Sequence, residues 1–133
     1  MEHVETVSHD GTVLAYIVSA RLVPAATTFI TPDDLKQQVG FIVYPKGGEI
    51  PRHVHLPIER HLVGTSEVIL VRSGRCELDI YNDAQELVVT RTLGAGDLML
   101  MVAGGHGFRM LEDTVLLEVK QGPYTGLVEK KLF

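Results

Sequence analysis

Apolar positions in this chain recur with a period of two, interrupted every eight to twelve residues by turn chemistry. TVLAYIV (12–18) comes first, followed after a polar break by QVGFIVY (38–44) and the turn PKGGEIP. EVILVRSG (67–74) and RCELDIY (75–81) meet at Gly74, and the turn NDAQ leads into ELVVTRTL (86–93). GAGD separates that stretch from LMLMV (98–102), and TVLLEVK (114–120) ends before QGPY. Many short strands with Gly, Pro, Asn and Asp between them predict an all-β sandwich or barrel. A continuous run such as LMLMV suits a strand buried on both faces, within a barrel wall or at a subunit contact. One short helix of about two turns is expected over TPDDLKQQ (31–38). Thr31 would cap it, Pro32 fits its first turn, and Asp33 and Asp34 suit the positive end of its dipole. With no internal repeat, low-complexity tract or linker, the pattern predicts a single domain over 1–133.

Composition narrows the function classes. The 133 residues are 45% hydrophobic and 22% charged, as in a soluble globular domain. The net charge of -5 argues against nucleic acid or an anionic membrane as a partner. No apolar segment approaches the roughly 20 residues that span a bilayer, and no leader pattern opens the chain, so a cytoplasmic protein is expected. The lone cysteine, Cys76, excludes an internal disulfide and shares a strand face with Leu78 and Ile80, which makes it a core residue. No phosphate-cradling loop or nucleophile elbow is present.

The chemistry concentrates in HVHLPIERHLVGTSE (53–67). If HVH lies in a strand, His53 and His55 project from one face and can meet one ion. Glu67 opens the next apolar strand on the face of Ile69 and Val71, and His106 sits among glycines in AGGHGF. An HxH pair alone also fits two surface histidines, and the surroundings decide between the readings.

Those surroundings match a two-part pattern. Gly47, five residues, His53 and His55 are followed by Glu67, six residues and Gly74; GDLMLMVAGGHGF then supplies Gly96, Asp97 and His106 in order. In these motifs, about 47–74 and 94–108, the chain resembles the cupin superfamily, as a small single-domain member. The resemblance implies a double-stranded β-helix, or jelly-roll, barrel. It also implies one divalent transition metal (Fe, Mn, Ni, Co, Cu or Zn) on His53, His55, Glu67 and His106. Eleven residues separate His55 from Glu67 where the family has three or four, so Glu59 at the short spacing competes with Glu67. Glu67 is preferred because it alone keeps the spacing to Gly74. The family's proline before the last histidine is absent, and the spacing there is one residue shorter.

The added loop LPIERHLVGTS places Arg60 and His61 at the rim. Arg60 could bind an anionic substrate group, and His61 could act as acid/base or as an extra ligand; an ordinary solvated loop is the other reading. The expected function is a small metal-dependent enzyme of the oxygenase or isomerase class, acting on an oxygenated organic acid or sugar-like molecule. The alternatives are a non-catalytic small-molecule-binding cupin and a metal-free isomerase- or epimerase-like cupin with a histidine base. The resemblance further implies a homodimer.

Overall fold

The structure, a computed structural model, describes all 133 residues and is all-β, with ten strands and no helix. The chain forms two compact units, one from Met1–Leu22 with Thr65–Phe133 and the other from Val23–Gly64.

The first unit carries two antiparallel sheets. Strands β1 (Val4–His9), β2 (Thr12–Val18), β5 (Glu67–Ser73), β8 (Leu98–Met101) and β10 (Val115–Lys120) form one, in the order β1-β2-β8-β5-β10. Strands β6 (Arg75–Tyr81), β7 (Leu87–Gly94) and β9 (Gly105–Met110) form the other, in the order β7-β6-β9. Both sheets are open, with β1, β10, β7 and β9 at their edges. Alternation along β6 turns Cys76, Leu78 and Ile80 inward, each fully buried. Ala15, Ile17, Ile69, Val71, Met99 and Met101 meet them from the five-stranded sheet in one apolar cluster. Each such side chain removed from water contributes about 1.5–3 kcal/mol, which is why this cluster fixes strand register. In β8, Leu100 is as buried as Met99 and Met101, although its side chain points to the opposite face. The expected two-sided burial of LMLMV is therefore observed.

Turns set the strand ends that matter for the site. Asp97 accepts hydrogen bonds from the backbone N–H of Gly94 (2.8 Å) and of Ala20 (2.7 Å), holding the turn before β8 against the end of β2. Gly104, at φ 72°, faces the Tyr81 carbonyl so closely that a Cβ would collide with it. Glycine is required there for β9 to run beside β6, and β9 carries His106.

The second unit contains one short pairing, β3 (Thr28–Phe29) with β4 (Gly40–Phe41). The helix expected over 31–38 is absent. The segment instead makes a turn closed by Leu35 N–H donating to the Pro32 carbonyl (3.2 Å). The Gln38 amide donates to the carbonyls of Pro32 (2.8 Å) and Leu35 (2.9 Å), and the Thr31 hydroxyl donates to its oxygen (2.6 Å). Thr31 also accepts from Val39 N–H (3.1 Å). A two-turn helix gains too few backbone bonds to offset its nucleation cost, and these side-chain bonds satisfy the same carbonyls without it. The strand expected over 38–44 shrinks to the Gly40–Phe41 pair, and HVH lies outside any strand.

Candidate metal centre

The first unit brings Glu67 and His106 together. Glu67 begins β5 on the inward face it shares with Ile69 and Val71, and His106 lies on β9 opposite Ile80. Their strands belong to different sheets, so the pair joins the sheets at the polar end of the core. His106 Nε2 is 3.1 Å from Glu67 Oε2, and the two side chains are 26% and 17% exposed. The His106 ring stands edge-on to Phe108 with centroids 5.9 Å apart, and Phe108 packs against the apolar cluster. Without an ion, Nε2–H donates to the carboxylate. The separation is that of an ordinary N–H···O hydrogen bond, and an imidazole nitrogen and a carboxylate oxygen are donor types that a divalent transition metal accepts.

Lys120 completes this corner. It stands opposite Glu67 in the β5–β10 register, with Nζ 3.9 Å from Glu67 Oε1 and 3.3 Å from Glu118 Oε2. The hydrogen bond to Glu118 and the charges of Glu118 and Glu67 hold its ammonium pKa above the usual lysine value. Just beyond, Ser66 N–H donates to Gln121 Oε1 (2.8 Å) and Gln121 Nε2 donates to Ser66 Oγ (2.9 Å), pinning the strand ends that carry Glu67 and Lys120.

The second unit holds the two other expected ligands. His53 and His55 are exposed, with ring centroids 5.2 Å apart and planes at 70°. His53 Nδ1 lies 2.8 Å from the Pro51 carbonyl oxygen. That oxygen can only accept, so Nδ1 carries the proton and Nε2 keeps its lone pair for a ligand. Metal-binding imidazoles are oriented by such a bond from their other nitrogen. Glu59, Arg60 and His61 are exposed as well. Arg60 lines an open depression of about 710 Å³ with Phe29, Asp33, Leu35, Lys36 and Gln38; His61 is not among its lining residues. No group of three or more His, Cys, Asp or Glu side chains is arranged to hold a metal ion. Each unit thus presents half of the expected donor set.

Cys76 is fully buried, and burial, reinforced by the charge of Asp97, raises its thiol pKa. It is a packing residue, as the alternation in RCELDIY predicts. Lys120 is brought beside Glu67 by the β5–β10 register, which no local pattern in the chain reveals. The alternation Leu116, Glu118, Lys120 turns polar toward the end of β10.

No family model, no curated protein and no solved structure matches this chain. No helix is long and apolar enough to cross a membrane.

Proposed function

We propose that this chain is a cupin-type jelly-roll protein that binds one divalent transition metal through His53, His55, Glu67 and His106. It works as a small metal-dependent enzyme of the oxygenase or isomerase class, on an oxygenated organic acid or sugar-like molecule. The observation that carries this reading is the Glu67–His106 pair, a carboxylate oxygen and an imidazole nitrogen 3.1 Å apart at the polar end of an apolar core. One further observation supports it: the Pro51 carbonyl lies 2.8 Å from His53 Nδ1, a contact that a proton on Nδ1 satisfies while Nε2 keeps its lone pair. Residues 52–56 keep the alternation of a strand, which would put His53 and His55 on one face.

Three imidazoles and a carboxylate form a nitrogen/oxygen set suited to first-row divalent ions, and such an ion supplies Lewis acidity and a template for substrate oxygens. The protein's residues do the rest. Glu67 and His106 are oriented by their strands, Phe108 walls one side, and Arg60 supplies a cation for an anionic group of the substrate. By the same resemblance the protein is a homodimer of the cytoplasm.

Elemental analysis of untagged protein tests the reading, with about one metal per chain expected. Glu67→Ala should lower metal retention at least tenfold, and Glu59→Ala should leave it unchanged. Failure to load Fe, Mn, Ni or Zn on reconstitution would sink the proposal, and the reverse ranking of the two variants would transfer the ligand role to Glu59. Oxygen uptake by the Fe(II) form with catechols, thiols and keto acids separates an oxygenase from a protein that only binds its ligand.

A further inference from the structure

The two open sheets of the first unit end in four edge strands, and these edges are not alike. An exposed edge offers a row of unpaired N–H and C=O groups to another strand, and proteins usually blunt it with charge, proline or bulges. On their outer faces β1 carries the exposed Thr6, β7 carries Thr90 and Thr92, and β9 carries Gly105, Gly107 and Arg109. β10 carries Leu117 and Val119 there, 48% and 52% exposed. They lie opposite Leu70 and Val68 of β5, which continue the apolar stripe across the sheet. No backbone hydrogen bond joins β10 to any segment but β5.

We infer that the β10 edge is the dimer interface of this protein, two copies pairing it antiparallel about a two-fold axis at Val119 to make one continuous sheet. The inference rests on the homodimer reading above and is independent of the metal.

Charge selects both the occupant and the register. Directly opposed residues of an antiparallel pair lie on one face, so the axis of a symmetric pair passes at a single residue of the strand. An axis at Glu118 would set that carboxylate against its own copy, and an axis at Lys120 would do the same to the ammonium. An axis at Leu117 would set Glu118 against Leu116 of the second copy. An axis at Val119 instead opposes Glu118 to Lys120 of the second copy and, by the same symmetry, Lys120 to Glu118. These two groups already share one face of the edge, with Nζ and Oε2 3.3 Å apart, and both are more than 40% exposed. The sequence Leu117-Glu118-Val119-Lys120 is therefore complementary to itself in this register. On the outer face, Val119 meets its own copy, and Leu117, Leu70 and Val68 of both chains extend the apolar band on either side. Opposite charges directly across two strands stabilise the pair, and like charges there oppose it.

Sedimentation velocity on the full chain over a range of concentrations tests this. The parent should be a dimer. Glu118→Lys and Lys120→Glu should each raise the dimer dissociation constant at least about tenfold, because each sets like charges opposite one another twice. Combining the two substitutions should return it to near the parent value. Val119→Lys, at a half-exposed position, should give monomer by a second route, and Thr6→Lys on the β1 edge should leave the dimer intact. A double variant that fails to recover would overturn the register at Val119. Dissociation constants unchanged in Glu118→Lys, Lys120→Glu and Val119→Lys would overturn the β10 interface and leave a dimer formed elsewhere. A parent that stays monomeric at every concentration would overturn the homodimer reading beneath it, a result separable from the others.

Discussion

The two units of this chain obtain their order in different ways. In the unit built from Met1–Leu22 and Thr65–Phe133, strands distant in sequence pair along their length, and their inner faces close on one apolar cluster. In Val23–Gly64, the ordering bonds of the 31–39 turn link residues no more than eight apart, and every residue from 44 to 64 is exposed. Alternating apolar residues occur in both. Val54, Leu56 and Ile58 alternate as clearly as Cys76, Leu78 and Ile80, yet the first three are 82%, 76% and 65% exposed and the second three are buried. A pattern of period two states what a segment can do once it has a partner edge; it does not supply the edge. The contrast matters for the site, because Glu67 and His106 stand on paired strands and His53 and His55 do not.

Limited proteolysis gives the largest effect that can break this comparison. Amides without ladder partners open at almost no cost, whereas paired core strands open only near the global unfolding free energy of about 5–15 kcal/mol. Trypsin should cut after Lys46, Arg52 and Arg60 at least roughly 100-fold faster than after Arg75 or Arg91. Mass spectrometry of timed digests reads the order, and equal rates would mean that residues 44–64 are held as firmly as the sheets.

A second test compares burial directly. Leu78 is 0% exposed at the centre of the cluster, so Leu78→Ala should cost about 2–5 kcal/mol through lost transfer energy and the cavity left behind. Ile58→Ala, at 65% exposure, should fall within about 0.5 kcal/mol of the parent. Urea unfolding midpoints at unchanged slope give both values. A loss above about 1.5 kcal/mol for Ile58→Ala would show that the 53–58 segment is packed in solution.

The same contrast explains what was legible in the sequence. β5, β6, β7 and β10 follow from alternation between core and exterior, and β2 and β8 from apolar runs buried on both faces. β1 was hidden because Val7 is its one buried residue, and β9 because glycines and a histidine occupy positions that apolar residues usually mark. The helix over 31–38 was the wrong reading of good capping residues: Thr31 and Gln38 do bind backbone groups, but they close a turn. The inward position of Glu67 was readable because it opens an apolar strand on the face of Ile69 and Val71, whereas the pairing of His106 with Ile80 on β9 was not. The place of Lys120 beside Glu67 was not readable, since it depends on pairing residues more than fifty positions apart, Glu67 and Lys120. No local pattern encodes that register.

The smallest effect separates long-range from local polar ties. Arg91 on β7 clasps Glu5 on β1, with Nε–Oε1 at 2.9 Å and Nη2–Oε2 at 2.8 Å, joining residues 86 apart in sequence across the two sheets. Both side chains are about 40% exposed, so solvent screens the pair strongly. Arg91→Gln should therefore cost only about 0.5–1 kcal/mol, and the difference from the parent should shrink in 1 M salt, where the screening length falls to about 3 Å. Gln38→Ala removes bonds to Thr31, Pro32 and Leu35, all within seven residues, and should leave the unfolding midpoint of the sheets where it was. A loss above about 2 kcal/mol for Arg91→Gln would make the ion pair, rather than apolar burial, the tie that holds β1 to the rest. A midpoint lowered by Gln38→Ala would mean that the turn and the sheets unfold together. Each outcome would move the boundary between the two kinds of order.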